Sequence, residues 1–184
     1  MFEENVGPVP AAPVDRRSTL CRRAFLAAYA GAIGSLFVVV PFSDFGIGLA
    51  AVFAFLLSQW AAALVWIHRA WSRLPIGERR SSTGADVTAA SAVGLLFVPI
   101  FNLYWIYVTN LGLAKAWNRV HESTRGVRPV SEGLATTAIL LQFVPYLSFL
   151  AAPPVWLAFM TAVDRAADEA SEPLDIRTLA ERFT

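Results

Sequence analysis

The sequence predicts an all-α fold, an integral membrane helical bundle of about four membrane segments, and three observations carry that expectation. Four stretches, 24–42, 47–67, 88–114 and 134–163, hold none of the fifteen Lys and Arg residues and none of the fourteen carboxylates. About 20 apolar residues in helix span the ~30 Å hydrocarbon core of a bilayer. Hydrophobic residues make up 56% of the chain and charged ones 16%, a departure from soluble usage in the membrane direction. The stretches also lack the polar residue every three or four positions that a water-facing helix shows; 24–42 offers only Tyr29 and Ser35.

Residues 1–15 carry three prolines, a glycine and scattered acids with no apolar period, and read as a disordered leader. Arg22-Arg23-Ala24-Phe25-Leu26 resembles a twin-arginine export pattern. The apolar run behind it is long, closes on no small-x-small site and is followed by further segments, so an uncleaved signal anchor is the reading. Cys21 stands alone, which excludes an internal disulfide framework and any CxxC site.

In the first segment Ala27, Gly31 and Ser35 recur every fourth residue with Ala30 and Gly34 beside them. This stripe of small residues lets another backbone approach closely. Pro41, Ser43, Asp44, Gly46 and Gly48 make a short turn that joins the first two segments as a hairpin. The second segment ends in Trp60, Trp66, His68, Arg69 and Trp71. Trp60, Trp66 and Trp71, with Trp117 further on, are expected as interfacial anchors, because indole rings favour the headgroup layer.

The third and fourth segments are 27 and 30 residues long. In helix that is ~40 and ~45 Å, well beyond what a span requires. Proline breaks each near its middle, at Pro99 and Pro145, with Pro153 and Pro154 beyond. The membrane domain thus covers 16–165. An acidic cytoplasmic tail follows over 166–184, where Leu174, Ile176, Leu179 and Phe183 allow a short amphipathic helix.

Positive charge sets orientation. Arg16, Arg17, Arg22 and Arg23 precede the first segment, and Arg69, Arg73, Arg79 and Arg80 follow the second. Lys115, Arg119, Arg125 and Arg128 follow the third, and the turn at 43–46 has no positive charge. Four simple spans would put the 115–133 loop outside, against this rule. Kinked spans are the commoner structure and remain the first expectation. The alternative is that segments three and four are re-entrant or sharply broken pairs, with every basic loop on the cytoplasmic side. There Asn102 would cap a half-helix starting at Leu103.

Segments three and four align at an offset of 46: Phe97-Val98-Pro99 on Phe143-Val144-Pro145, Leu111 on Leu157, Ala116 on Ala162, and Asn118-Arg119 on Asp164-Arg165. The run Ala92–Trp105, with Gly112-Leu113-Ala114-Lys115 and Asn118-Arg119 after it, resembles a family of uncharacterised bacterial multi-helix inner-membrane proteins. Their third helix carries a Pro-x-x-Asn-Leu motif behind a Trp-rich second helix, here Trp66-Ile67-His68-Arg69-Ala70-Trp71. The similarity covers about residues 50–120 and implies a bacterial inner-membrane protein of about four helices, and no activity.

The four segments hold no Asp, Glu, Lys, Arg or His. That argues against proton-coupled transport, intramembrane aspartate proteolysis and metal sites within the bilayer. His68 and His121 lie in different loops without a cysteine or carboxylate cluster, a poor metal site. No phosphate loop, nucleophile elbow or HExxH occurs, so no catalytic residue, metal or cofactor is expected. The intramembrane polar set is Ser58, Gln59, Asn102, Thr109, Asn110 and Gln142, read as interhelical hydrogen-bonding groups. Within it Asn102, Asn110 and Gln142, with Pro99, are candidates to line a polar cavity. Arg79, Arg80, Arg125 and Arg128 are candidate contacts for anionic lipid headgroups. Near-neutral net charge gives no case for nucleic acid. The functional expectation is a non-enzymatic accessory or scaffold subunit that associates through its helices with other membrane proteins or itself. The alternative is a small oligomeric transporter or channel-like protein built around Pro99 and Pro145. Multi-pass insertion in the bacterial inner membrane is expected, with both termini cytoplasmic.

Overall fold

The computed structural model describes residues 16–42, 44–124, 126–144 and 146–171, whose regular elements are all helices with no strand among them. The leader over 1–15, Ser43, Arg125, Pro145 and the tail amphipathic helix lie outside the described residues.

Helix α1 (Arg16–Gly34) runs into a π-helical turn over Ser35–Val39 and a last short piece, α2 (Val40–Phe42). Pro41 lacks the amide an α-turn would need, and a π turn ahead of it relieves the clash with the carbonyl four residues back. The chain then reverses into α3 (Phe45–Arg73), which is capped where the Asp44 carboxylate accepts from the Gly46 amide at 2.8 Å. Gly31 of α1 faces the Phe55 ring of α3 so closely that a Cβ there would lie 2.5 Å from it. The first two segments are therefore an antiparallel hairpin, as the small-residue stripe and the turn formers predict. The stretches Arg17–Val39 and Phe45–Arg73 are each long and apolar enough to cross a membrane.

The third and fourth segments do not form single helices. Thr88 and Ser91 cap α4 (Ala89–Gly94) reciprocally, side chain to backbone. A 3₁₀ turn over Leu95–Phe97 and an extended Val98 lead to Ile100 at φ 66°, and α5 (Phe101–Ser123) departs in the opposite sense. The reversal is fixed by the Trp105 indole, whose Nε1 donates back to the Ser91 and Ala92 carbonyls at 3.2 and 3.3 Å. Asn102 is not the cap expected of it: α5 begins at Phe101, and Ile100 holds the N-cap position without a side-chain bond.

The fourth segment repeats the device. Ser131 caps α6 (Glu132–Leu140), a 3₁₀ turn covers Leu141–Phe143, Val144 is extended and Tyr146 has φ 65°. Then come α7 (Leu147–Leu150) and α8 (Ala152–Ser171). Pro153 and Pro154 occupy the first turn of α8, where a missing amide costs nothing. The boundary expected at 165 is no break, because α8 runs through it with Ala166 and Ala167 buried.

Both reversal tips stop partway along the first hairpin. Phe97 meets the Trp60 ring edge-on at 5.7 Å, and the Tyr29 hydroxyl donates to the Leu150 carbonyl at 3.2 Å. Trp60 lies ~22 Å along α3 from Phe45 and ~20 Å from Arg73, so the first tip meets α3 at about its midpoint.

The core lies toward the other end. Trp66 packs edge-on against Trp156 and Phe159 at 6.2 and 5.8 Å, with Trp71, Leu113, Trp117 and Val163 also buried. Most of the large exposed apolar side chains sit elsewhere, among them Phe37, Phe42, Phe45 and Phe53 on the first hairpin, with Phe97, Ile100, Phe143 and Tyr146 at the tips, whereas Leu20 and Ile76 are exposed at the core's own end.

Candidate functional site

The polar end is tied together by charges drawn from every basic segment. Arg22 at the start of α1 and Arg73 at the end of α3 converge on Asp164 of α8, with N···O distances of 3.0 and 3.7 Å. Arg73 also pairs with Asp168. The Trp66 indole donates to Asp164 Oδ1 at 3.1 Å. Arg119 of α5 bonds Glu78 at 2.8 Å, and Arg128 pairs with Glu169 at 3.2 Å. Asn118 locks the loop before α6, donating to the Val130 carbonyl at 3.0 Å and accepting its amide at 2.8 Å. The N-terminal arginines, the 68–87 loop, the 115–133 loop and the end of α8 therefore occupy one end of the molecule. The kinked-span expectation, which separates them, is not confirmed: each hairpin returns the chain to the end it left.

Asp164 is 2% exposed. Burial pushes its carboxyl above the ordinary carboxylate range, while Arg22, the Trp66 N–H and Arg73 pull in the other direction.

Beyond this end lies a cavity of about 490 Å³ between α1, α3 and the two hairpins. Gln59 of α3, Asn102 of α5, Gln142 and Ser148 of the last hairpin supply its polar groups, and Trp60, Leu64, Ile106 and Trp156 are among its apolar walls. Asn102 and Gln142, separated by 40 positions, are thus brought to one chamber. Pro99 and Asn110 are not among its lining residues. Pro99 is exposed at the tip, and Asn110 is 1% exposed with its amide donating to the Ile106 carbonyl at 2.7 Å. Interhelical bonding is not what the polar set shows. Ser58, Thr109, Asn110 and Gln142 each donate to the carbonyl four residues back in their own chain segment. No described hydrogen bond engages the side-chain amide of Asn102 or of Gln59. The sequence reading missed Ser148, which looks like any hydroxyl in an apolar run, and Asp164, whose three partners lie on two other helices, Arg22 on α1 and Trp66 and Arg73 on α3.

The remaining expected residues fall as follows. In the small-residue stripe Ser35 is buried and Gly31 is taken by Phe55, whereas Ala27 and Ala30 are exposed. Trp66, Trp71 and Trp117 are at most 1% exposed and so are core residues instead of interfacial anchors; Trp60, at 45%, is free to serve as one. Arg79 is committed to the Leu74 and Ser72 carbonyls and Arg128 to Glu169, which leaves Arg80 exposed. Among the described residues no group of three or more metal-ligating side chains occurs.

Comparison with family models, curated proteins and solved structures gives no match for this chain, and the family resemblance over 50–120 draws no support there.

Proposed function

We propose that the protein is a non-enzymatic integral membrane protein that works by association within the bilayer, as an accessory or scaffold subunit. In this reading the α1–α3 hairpin crosses the membrane and the two folded-back hairpins enter from the basic, cytoplasmic face to about mid-depth. One observation carries it: every basic segment is cross-linked at one end, while most of the exposed large apolar side chains lie beyond that end, with Leu20 and Ile76 as exceptions. This satisfies the positive-inside rule without exception. It also meets the demand that irregular backbone at membrane depth be packed against protein. Since Gly31 is already filled by Phe55, the docking face moves to the aromatic side of α5, where Tyr104 and Tyr107 are 51% and 40% exposed. Their hydroxyls bond nothing among the described residues, and a partner helix offers what lipid tails do not.

A cysteine at Ser123 and an impermeant thiol reagent test the topology: intact bacteria should leave it unlabelled and opened membranes should not. Labelling in intact cells overturns the re-entrant arrangement. Docking is tested by Tyr104→Phe with Tyr107→Phe, which should release proteins that co-purify in mild detergent.

The second reading, a small transporter or channel-like protein, is favoured by the chamber holding Asn102 and Gln142 between the broken helices. Loss of solute flux with preserved complexes in Asn102→Leu, Gln142→Leu would decide for it.

A further inference from the structure

We infer that the chamber is a binding site for an uncharged lipid whose head carries carbonyl or hydroxyl oxygen. The inference rests on the reading that the apolar surface lies in the bilayer, but not on the docking of a partner. Three primary amides and one hydroxyl face a cavity whose walls are otherwise apolar. Gln59, Asn102 and Gln142 together offer N–H donors and C=O acceptors, and Ser148 offers one of each. No lining residue carries a charge, so a charged solute would lose its hydration with no counter-charge in return. A neutral head with one or two oxygens accepts from these amides and loses little on leaving water or a headgroup layer.

Position argues the same way. The hairpins that bound the chamber meet the first hairpin at Trp60 of α3 and Tyr29 of α1, partway along each helix. A ligand at that depth arrives through the hydrocarbon, and an apolar tail is its means of doing so. The volume, about 490 Å³, lies within the range of small-ligand pockets.

Two probes cover the two oxygen chemistries: decylubiquinone for the carbonyl head and monoolein for the hydroxyl head, each added to the full chain in detergent. Either should raise the unfolding midpoint saturably, and the probe that does so names the head. The quinone should also quench indole emission saturably, since Trp60 and Trp156 line the chamber. Oleate, with the tail but a charged head, should do neither. Asn102→Leu with Gln142→Leu should weaken binding about thirtyfold, the loss of two ordinary hydrogen bonds. Ala63→Phe, which fills the lined space, should abolish it, and near-UV circular dichroism checks that both variants stay folded. Equal binding of oleate, or quenching that rises linearly and is unchanged in Ala63→Phe, overturns the inference. Because the Ser123 labelling reports insertion separately, a chain that inserts correctly and binds neither probe overturns this inference alone.

Discussion

Ile100 and Tyr146 stand 46 positions apart and share one rare backbone conformation, φ 66°, ψ −48° and φ 65°, ψ −44°. Each follows a 3₁₀ turn and an extended valine and each opens the next helix. Among the described residues no other non-glycine residue has positive φ. At the first tip the Phe101 amide donates to the Pro99 carbonyl at 2.7 Å, closing a γ-turn of the strained hand around Ile100. A β-branched residue in this region is an outlier whose cost is about 1–3 kcal/mol. Glycine would avoid that cost, but it would also remove an apolar side chain from a tip that is 85% exposed at both positions.

Ile100→Gly should therefore raise the stability of the detergent-solubilised protein by about 1 kcal/mol, and Tyr146→Gly likewise. The exposed side chains contribute little packing to offset the relief. Thermal unfolding followed by circular dichroism checks this, and a lowered midpoint in both variants would show that the tips are not strained.

Asp164 separates the need for an acceptor from the need for a charge. Asp164→Asn keeps an oxygen for the Trp66 indole and removes a charge that burial disfavours, so it should cost less than about 2 kcal/mol. Asp164→Leu leaves the indole and Arg22 without their partner and should cost about 3 kcal/mol or more. The pH dependence has a definite sign. The folded pKa lies above the ordinary 3.8, so the folded chain holds this proton more tightly than the unfolded chain does. Stability from this group is fully present below 3.8 and is lost as pH rises through the raised value. Urea unfolding across that window should show the loss in the parent protein and its absence in Asp164→Asn.

Gly112 gives a prediction in which helix propensity and packing oppose each other. A Cβ there would lie 2.8 Å from the Ser82 amide nitrogen and 3.0 Å from Ser81 backbone atoms, because the 79–87 loop is laid against α5. Gly112→Ala should destabilise by about 1–3 kcal/mol despite the ~1 kcal/mol gain in helix propensity. Gly94, where an added Cβ meets nothing within 4 Å, is the control, and its alanine variant should be neutral or slightly stabilised. Equal midpoints for the two variants would show that the loop yields.

How legible this was in the sequence varies residue by residue. The hairpin of α1 and α3 follows from length, Asp44 and the glycines around it, all local signals. The excess length of segments three and four and the repeated Phe-Val-Pro marked both reversals. Whether proline kinks a helix or reverses it, however, depends on the residue after it, and nothing about Ile or Tyr announces a positive φ. Tryptophan misled for a different reason: an indole suits both a headgroup layer and a core. Only the convergence of α3, α5 and α8 places Trp66, Trp71 and Trp117 inside. The chamber lay between these cases, with Gln59, Asn102 and Gln142 marked as polar residues in apolar runs but their meeting set by the two reversals.

The depth of the tips is the sharpest consequence of the re-entrant reading. Val98 and Val144, 43% and 44% exposed, can each be replaced by cysteine and labelled with an environment-sensitive dye after reconstitution in vesicles. Since Phe97 at the first tip meets Trp60, ~20 Å along α3 from Arg73, and Leu150 of the second hairpin meets Tyr29 partway along α1, nitroxide lipids labelled mid-chain should quench both dyes more strongly than lipids labelled at the headgroup. A dye at Phe42, which lies at the α1–α3 turn and is 86% exposed, should show the reverse order if, as that reading requires, the turn emerges on the far face. If segments three and four instead crossed the bilayer as kinked spans, the repeated tips would still lie deep, but the Ser123 and Phe42 positions would then react from the same side. Equal headgroup quenching at Val98 and Val144 would place the tips at the surface, and the two hairpins would then be packed on the membrane instead of within it.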